Sequence, residues 1–261
     1  MLCVVLCLIF IETCVILAII GDMKIIAHRG WSAKYPENTM LAFEKAVEVK
    51  TDGIELDVHL SKDGEVMIQH DEALLRTSGK EGVILDYTRS ELERISAGKT
   101  KNDDFGFTPI PSLEEYLDFI SKTNVFTNIE LKTAPMYYPG IEEKVMKLVN
   151  RYSYIDRVIF SSFNWLSIMK IKMMEPTTKA GVLIASPAIK NIGYELADIG
   201  FDTYHPDFDI VDENVVFDCH RNGIEINVWT VNDKSKMEIC DKWNIDGLIT
   251  NEPDVAISLF R

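Results

Sequence analysis

Histidine, carboxylate and cationic side chains end or lie on apolar, strand-like runs of this sequence. Read along the chain, the first group is His28, Arg29, Glu55, Asp57, His70 and Asp71. Glu130 and Lys132 repeat the arrangement at the end of a later apolar run. Imidazole, guanidinium and carboxylate groups at strand ends suit hydrolysis better than packing. The pattern predicts a divalent-metal phosphodiesterase.

Three of the carboxylates are predicted to bind a metal ion. Residues two apart on a strand share a face, so Glu55 and Asp57 point the same way, and Glu130 ends another strand. Three acids facing one cavity would repel each other without a cation. Oxygen ligands suit one divalent cation, Mg²⁺ or Ca²⁺, and do not choose between the two. The alternative is a solvated, salt-bridged strand end.

Two histidines are candidates for proton transfer. Hydrolysis of a phosphodiester removes a proton from the attacking oxygen and delivers one to the departing alkoxide, and histidine can do either near neutral pH. His28 ends the first strand-like run, and His70 follows the run at 65–69. Only four residues separate that run from Leu60, too few for a parallel crossover, and they include Asp-Gly, so it should fold back as an antiparallel hairpin. The hairpin returns His70 to the level of Glu55.

Other polar residues leave alternatives open. Arg29 can clamp phosphate oxygens with its planar fork and Lys132 can add a point charge, or each pairs with a carboxylate of the metal cluster. Glu37 and Asp71 are weaker candidates, as orienting groups, and Glu37 fits an ordinary loop acid equally well. Of the remaining histidines, His59 and His220 are expected on the outer surface, and the role of His205 is open.

Apolar, β-branched runs alternating with helix-length amphipathic stretches predict a (β/α)8 TIM barrel, an α/β fold. The eight runs are Lys24–Ala27, Gly53–His59, Val125–Leu131, Arg157–Ser161, Lys179–Ile184, Phe201–His205, Ile224–Trp229 and Asp246–Ile249. Helices are predicted from the caps Asn38 and Thr39 through Val49, over Tyr116–Ile120 after the capping box Ser112-x-x-Glu115, and at about 141–151, 164–174, 189–199, 212–222, 233–242 and 253–260. Residues 72–110 match no barrel strand and predict a small inserted cap.

The bulk numbers fit one acidic domain. A length of 261 residues suits a single α/β barrel. The formal net charge of −14 argues against nucleic acid as a partner, and no protein partner is inferred. Cys219 and Cys240 are expected to be reduced cysteines, because two thiols do not make a disulfide framework.

Residues 1–22 are an apolar leader ahead of the predicted domain at residues 23–261. Residues 1 to 20 are apolar apart from Glu12 and Thr13, long enough for a transmembrane anchor. Basic residues follow, so an inserted leader predicts a single-pass membrane protein with a cytoplasmic domain. A start at Met23 predicts a cytoplasmic protein instead. A cleaved signal is disfavoured because no basic residue precedes the apolar run.

Several stretches resemble the glycerophosphodiester phosphodiesterase family, a branch of the phosphatidylinositol-phospholipase-C-like barrels. They are residues 24 to about 78, Pro111-Ser112-Leu113-Glu114-Glu115, Glu130-Leu131-Lys132, Ser161-Ser162-Phe163, Val228-Trp229-Thr230-Val231-Asn232 and Asp246-Gly247-Leu248-Ile249-Thr250. The resemblance spans the chain from Lys24 nearly to its end, and residues 1–21 have no counterpart.

The resemblance implies roles and a reaction. His28 and His70 match the acid–base pair of the family, and Glu55, Asp57 and Glu130 match its metal ligands. Phe163 and Trp229 resemble the wall beside the glycerol, although aromatic residues in barrels are also common in the core. The implied substrate is a small glycerophosphodiester, hydrolysed to sn-glycerol 3-phosphate and an alcohol. Attack by the substrate's own hydroxyl, through a cyclic phosphate, and direct attack by water both remain open.

Two other functions compete with this reading. A membrane-associated lysophospholipase D or sphingomyelinase D-like enzyme would be favoured by a wide apolar rim on the 72–110 insertion. A non-catalytic, membrane-anchored binding barrel would be signalled by the loss of a histidine or a metal carboxylate. None of these positions is lost.

Overall fold

The computed structural model describes residues 22–102, 104–134 and 136–261. The predicted leader lies outside the described residues, apart from Asp22. Within these ranges, no helix combines the length and apolar character that a bilayer crossing requires.

Eight parallel strands of the described chain close into a barrel: each pairs with the next barrel strand along the chain, and the last pairs with the first. The strands, with the hairpin strand β3, are β1 Lys24–His28, β2 Gly53–Leu60, β3 Val66–Ile68, β4 Phe126–Leu131, β5 Val158–Ser162, β6 Lys179–Ile184, β7 Thr203–Pro206, β8 Glu225–Val228 and β9 Gly247–Thr250. Helices follow the barrel strands, so the predicted (β/α)8 TIM barrel is confirmed.

The hairpin after β2 is also as predicted. β3 runs antiparallel to β2, with Val58 opposite Ile68 and Leu60 opposite Val66. Gly64 supplies the left-handed conformation, φ 78°, that the tight turn requires. The chain after β3 therefore returns to the carboxyl end of the barrel.

Helices α1 to α10 are α1 Met40–Glu48, α2 Leu75–Ser78, α3 Arg89–Leu92, α4 Leu113–Ile120, α5 Ile141–Arg151, α6 Trp165–Met174, α7 Ile192–Ile199, α8 Glu213–Arg221, α9 Lys234–Lys242 and α10 Pro253–Phe260. Thr39 caps α1 by accepting from the Ala42 amide, and Ser112 caps α4 by accepting from the Glu115 amide. The helix predicted from residue 189 begins later, because Asn191 takes a left-handed conformation, φ 54°.

Residues 72–110 form an excursion of short elements between β3 and α4. It holds α2, α3 and the 3₁₀ turns Ile84–Asp86 and Gly98–Lys101. The excursion is tied to itself by a bridge between Ala73 and Val83, and Leu74 is fully buried beneath it.

The prediction that His59 lies on the outer surface is wrong. The side chain is fully buried, with Nδ1 2.7 Å from the Tyr138 hydroxyl and Nε2 3.1 Å from the His70 carbonyl oxygen. Alternation along β2 places His59 on the same face as Glu55 and Asp57, near the end of the strand, where Tyr138 of the β4–α5 connection and the backbone of His70 cover it. His220 is exposed, as predicted. Cys219 and Cys240 are buried and form no disulfide within the described part of the chain, and their reduced state stays a prediction.

Candidate active site

The carboxyl ends of three adjacent strands carry the predicted polar residues. Strand pairing sets His28 beside Glu55, and Asp57 beside Glu130. In a parallel barrel these ends open on one face, where loops supply further groups. Sequence positions as far apart as 28 and 130 thus become neighbours.

The three acids form one compact cluster. Glu55, Asp57 and Glu130 are buried and each offers an oxygen within 4.8 Å of the others. Asp57 Oδ2 accepts a hydrogen bond from Asn38 Nδ2 at 2.8 Å, whereas Oδ1 is buried without any such partner among the described residues. Lys132 Nζ lies 3.6 Å from Oδ1, beyond hydrogen-bond distance, so this buried anionic oxygen beside two further carboxylates fits a hard divalent cation.

Burial and mutual repulsion change the acidity of this cluster. Burial and the neighbouring Asp57 raise the pKa of Glu55 well above its ordinary value, and they raise the pKa of Glu130 to about 7. For Asp57, burial favours the neutral acid, but the charges of Arg29 and Lys132 outweigh it and hold its pKa below the usual range. Without a cation, Glu55 and Glu130 therefore take up a proton more readily than ordinary carboxyl groups, whereas Asp57 does so less readily.

His28 lies between the acidic cluster and the end of β9. Its Nδ1 is 2.6 Å from Asn251 Oδ1, and its Nε2 is 3.9 Å from Glu55 Oε2. Burial and the adjacent Arg29 lower the pKa of His28 to about 3. Ser32 Oγ also lies 3.0 Å from Asn251 Oδ1, so the imidazole is held by a small polar network.

His70 reaches the same cavity from the hairpin. The amide of the preceding residue, Gln69, donates to the carbonyl of Asp57 at 3.0 Å, which fixes the chain next to the acidic cluster. His70 Nδ1 is 2.6 Å from Asp71 Oδ1. This contact fits the orienting role that the sequence predicts for Asp71, and the role itself stays a prediction.

The two predicted phosphate-binding cations pair with carboxylates in the structure. Arg29 Nη1 donates to Glu37 at 2.9 Å, and its Nε is 3.4 Å from Asp57 Oδ2. Lys132 Nζ is 2.9 Å from Glu130 Oε1. Of the two alternatives from the sequence, the structure therefore shows both cations paired with acids of the cluster. Both also border the cavity, and their contact with a phosphate stays a prediction.

The backbone around Arg29 is held in an unusual conformation. Arg29 has φ 55°, and its amide donates to Glu55 Oε2 at 2.9 Å. Gly30 follows with φ 77°, and a Cβ at that position would lie 2.7 Å from the Ala42 backbone of α1. A glycine is therefore required for the loop to pack against α1 and aim Arg29 inward.

A cavity of about 250 Å³ brings the site residues together. Its polar lining includes His28, Arg29, Glu55, His70, Glu130 and Lys132. Phe163 and Trp229 form an apolar wall, with ring centroids 5.8 Å apart. Phe163 is 40% exposed, so this aromatic pair lines an opening instead of filling the core. Trp229 is fixed by a hydrogen bond from its indole nitrogen to the His205 carbonyl, while the His205 side chain is buried.

Two asparagines of the site were not found from the sequence. Asn38 was predicted only as a cap of α1, and Asn251 was not singled out. Either residue is ordinary in a loop; the pairing of β1 with β9 brings Asn251 to His28, and the pairing of β1 with β2 brings Asn38 to Asp57. The sequence signal that could have indicated Asn38 is its place in Pro36-Glu37-Asn38-Thr39, in the same loop after β1 as the candidate residue Arg29.

Known proteins share both the sequence and the fold. The model of the glycerophosphoryl diester phosphodiesterase family matches residues 28–255. A glycerophosphodiester phosphodiesterase of Caldanaerobacter subterraneus subsp. tengcongensis is 39% identical, covering 91% of this chain and 97% of its own. A glycerophosphodiester phosphodiesterase structure from Thermotoga maritima is 32% identical with a TM-score of 0.73, covering 92% and 99%. An Oleispira antarctica phosphodiesterase, solved with the product sn-glycerol-3-phosphate, is 28% identical with a TM-score of 0.82, covering 91% and 96%.

The fold and the site thus define a phosphoric diester hydrolase built on a (β/α)8 barrel. The chain belongs to the glycerophosphoryl diester phosphodiesterase family. The family, the fold and the enzyme class that the sequence predicts are confirmed.

Proposed function

We propose that this enzyme hydrolyses small glycerophosphodiesters to sn-glycerol 3-phosphate and an alcohol, with a divalent cation and the His28–His70 pair. The observation that carries the proposal is the cavity on which the acidic trio, two histidines and two cations converge. The sn-glycerol-3-phosphate in the Oleispira antarctica neighbour supports the nature of the product.

Glu55, Asp57 and Glu130 would hold the cation, either Mg²⁺ or Ca²⁺. When bound, it would neutralise charge on the phosphate and on the three acids. The supporting features are Asp57 Oδ1, which is buried and accepts no hydrogen bond from the described residues, and the raised pKa values of Glu55 and Glu130, because clustered carboxylates of this kind gain most from a cation.

The two histidines divide the proton transfers. One accepts the proton of the attacking oxygen and the other delivers a proton to the departing alkoxide. His28 is oriented by the neutral amide of Asn251, and His70 by the carboxylate of Asp71. Different partners for two imidazoles on one cavity support distinct roles.

Arg29 and Lys132 bind the phosphate from the acidic side of the cavity, and Phe163 and Trp229 cover the glycerol carbons on the other. Both cations are already next to the acids, so a phosphate entering the cavity meets them without a large movement of the backbone. The exposed ring of Phe163 offers apolar surface to the substrate.

One observation favours a second candidate, a lipid phosphodiesterase. The insertion exposes Phe105 and Phe107, and the Phe105 ring lies 5.1 Å from that of Tyr35 in the loop after β1, on the catalytic face. An apolar rim there suits an acyl chain. Comparing rates on glycerophosphocholine and on a lysophospholipid with the same headgroup separates the two candidates.

The proposed function is tested by assaying glycerol 3-phosphate after incubation with glycerophosphocholine, glycerophosphoethanolamine and glycerophosphoglycerol, each with Mg²⁺ or Ca²⁺. Release of glycerol 3-phosphate from at least one of them supports the proposal. Release from none, together with cleavage of the lysophospholipid, would favour the second candidate.

A further inference from the structure

Arg76, a residue of the inserted segment, forms hydrogen bonds with two carboxylates at the edge of the site, those of Asp71 and Glu37. Its Nε donates to Asp71 Oδ2 at 2.6 Å, and its Nη1 and Nη2 donate to the two oxygens of Glu37 at 2.7 and 2.8 Å. One planar guanidinium thus binds a carboxylate that follows β3 and another in the loop after β1. Nothing in the proposed proton transfers or phosphate contacts uses Arg76.

Each carboxylate in turn contacts a residue of the cavity. The other oxygen of Asp71 contacts His70 Nδ1 at 2.6 Å. Glu37 Oε1 also accepts from Arg29 at 2.9 Å, and Arg29 lies beside Asp57. Charge-assisted contacts therefore run without interruption from His70, through Arg76, to Arg29.

The helix that carries Arg76 is anchored. Leu74 and Thr77 are buried on its inner side, and Thr77 Oγ1 accepts from Gln69 Nε2 at 3.1 Å. Gly79 ends the helix in a left-handed conformation, φ 75°. A fixed backbone is what allows an arginine on a short helix to set the orientation of its partners.

The geometry sets this contact apart from an ordinary surface ion pair. Exposed pairs contribute little to stability because two flexible side chains must be ordered for a weak, screened attraction. Here one guanidinium makes three hydrogen bonds to two carboxylates, and each carboxylate is already held by a second partner. Lysine cannot reproduce this, since it presents a point charge instead of a fork.

We propose that Arg76 is a positioning residue for the phosphodiesterase reaction, which orients His70 through Asp71 and Arg29 through Glu37. The inference rests on the proposed function, because it takes His70 as a proton-transfer group and Arg29 as a phosphate ligand. The inserted segment is then part of the working site, and its removal would loosen both groups.

The test measures kcat and KM of Arg76→Ala and Arg76→Lys for a glycerophosphodiester. Arg89 offers a matched control in the same segment: it contacts the carboxylates of Glu93 and Glu114 at 2.7 Å each, away from the cavity. We expect kcat of Arg76→Ala to fall about tenfold or more, with a smaller change in KM, because small misplacements of reacting groups are costly. Arg89→Ala should keep the kcat of the parent enzyme.

Chemical rescue distinguishes positioning from general destabilisation. Millimolar ethylguanidinium should restore part of the kcat of Arg76→Ala and leave Arg89→Ala unchanged. Arg76→Lys keeps the positive charge and replaces the alanine variant in the test if that variant does not fold. The kcat of Arg76→Lys should also fall. Ethylguanidinium should not restore this kcat, because the lysine side chain occupies the position of the guanidinium.

His70→Ala, measured in parallel, separates failure of the inference from failure of the proposed function. If His70→Ala loses activity while the kcat of Arg76→Ala and Arg76→Lys matches that of Arg89→Ala, the positioning role alone is wrong. If His70→Ala keeps its activity, the proposed role of His70 fails, and the inference fails with it.

Discussion

The side chains of His28 and Asn251 meet with His28 Nδ1 2.6 Å from Asn251 Oδ1, across a separation of 223 residues. His28 ends the first barrel strand, and Asn251 follows the last one. With the amide oxygen as acceptor, the imidazole carries its proton on Nδ1 and turns Nε2 toward Glu55. Closure of the barrel therefore fixes the orientation of a proposed proton-transfer group.

Asn251→Leu should lower kcat about tenfold, equivalent to roughly 1.4 kcal/mol for the loss of an orienting hydrogen bond. Asn251→Asp should retain more activity, because a carboxylate oxygen can still accept from Nδ1. Steady-state kinetics of both variants checks this. Equal losses in the two variants would contradict an orienting role for the acceptor oxygen.

His28→Ala and His70→Ala should each lower kcat about a hundredfold or more, the usual scale of acid–base catalysis. One of the two should regain activity on a glycerophosphodiester with a nitrophenol leaving group, which departs without a proton. The exposed His220→Ala variant is the control and should be unaffected. Near-normal rates in both cavity variants, or rescue of neither, would exclude the proposed division of roles.

Stability of the metal-free protein should fall as pH rises through about 7. The pKa of Glu130 is raised to about 7, above its unfolded-state value, by burial and by Asp57. The folded state then holds the proton more tightly than the unfolded chain, so this stabilising contribution is present at low pH and is lost above about 7. Thermal unfolding followed from pH 5.5 to 8.5 checks this.

Glu130→Gln removes the titrating group and is the control for that experiment. Its melting temperature should fall less steeply over the same pH range. Added Mg²⁺ or Ca²⁺ should stabilise the parent protein most at high pH, where the ligands are unprotonated. A parent and a variant with identical pH profiles would contradict the assignment to Glu130.

His59→Ala should destabilise the fold by about 2–4 kcal/mol, through the cavity it leaves and the partners it deprives of hydrogen bonds. Those partners are the Tyr138 hydroxyl and the His70 carbonyl oxygen. Tyr138→Phe removes only one hydrogen bond and should cost about 1 kcal/mol. Urea unfolding of the parent and both variants measures these losses in the free energy of unfolding. A His59→Ala variant as stable as the parent would show that the buried His59 side chain does not stabilise the fold.

A protein beginning at Met23 should be soluble, folded and about as active on glycerophosphodiesters as the full chain. Lys24 begins β1 and Met23 is buried against the barrel, so the catalytic domain is proposed to need nothing before it. Barrel strands enter from the face opposite the site, and an inserted leader would therefore hold the mouth away from the membrane. Loss of folding, or of activity on soluble substrates, after truncation would make residues 1–22 part of the working enzyme.

The barrel and the acidic trio could be predicted because their signals are local. Eight apolar runs mark the strands, and alternation within β2 is enough to place Glu55 and Asp57 on one face. The Asp63-Gly64 turn similarly predicted the return of His70 to the site.

What escaped prediction depends on contacts between distant segments. Alternation within β2 places His59 on the face of Asp57, but the groups that bury it, the Tyr138 side chain and the His70 carbonyl, come from other segments and are not marked in the sequence of β2. The same holds for Asn251, which reaches His28 only when β1 and β9 pair. Arg76 belongs to an insertion without regular periodicity, so its contacts with Glu37 and Asp71 could not be read from spacing.

Dependence of hydrolysis on a divalent cation, held by the acidic trio, is the property on which the proposed function rests most. Its most direct test is the rate of glycerol 3-phosphate release from the preferred glycerophosphodiester, for protein stripped with a chelator and then titrated with Mg²⁺ or Ca²⁺. We predict that the stripped protein is inactive and that one of the two ions restores the rate. Asp57→Asn should require far more of that ion. Glu48 is an exposed acid on α1, and the control variant Glu48→Gln should behave like the parent. Full activity of the stripped protein would show that hydrolysis does not depend on a divalent cation.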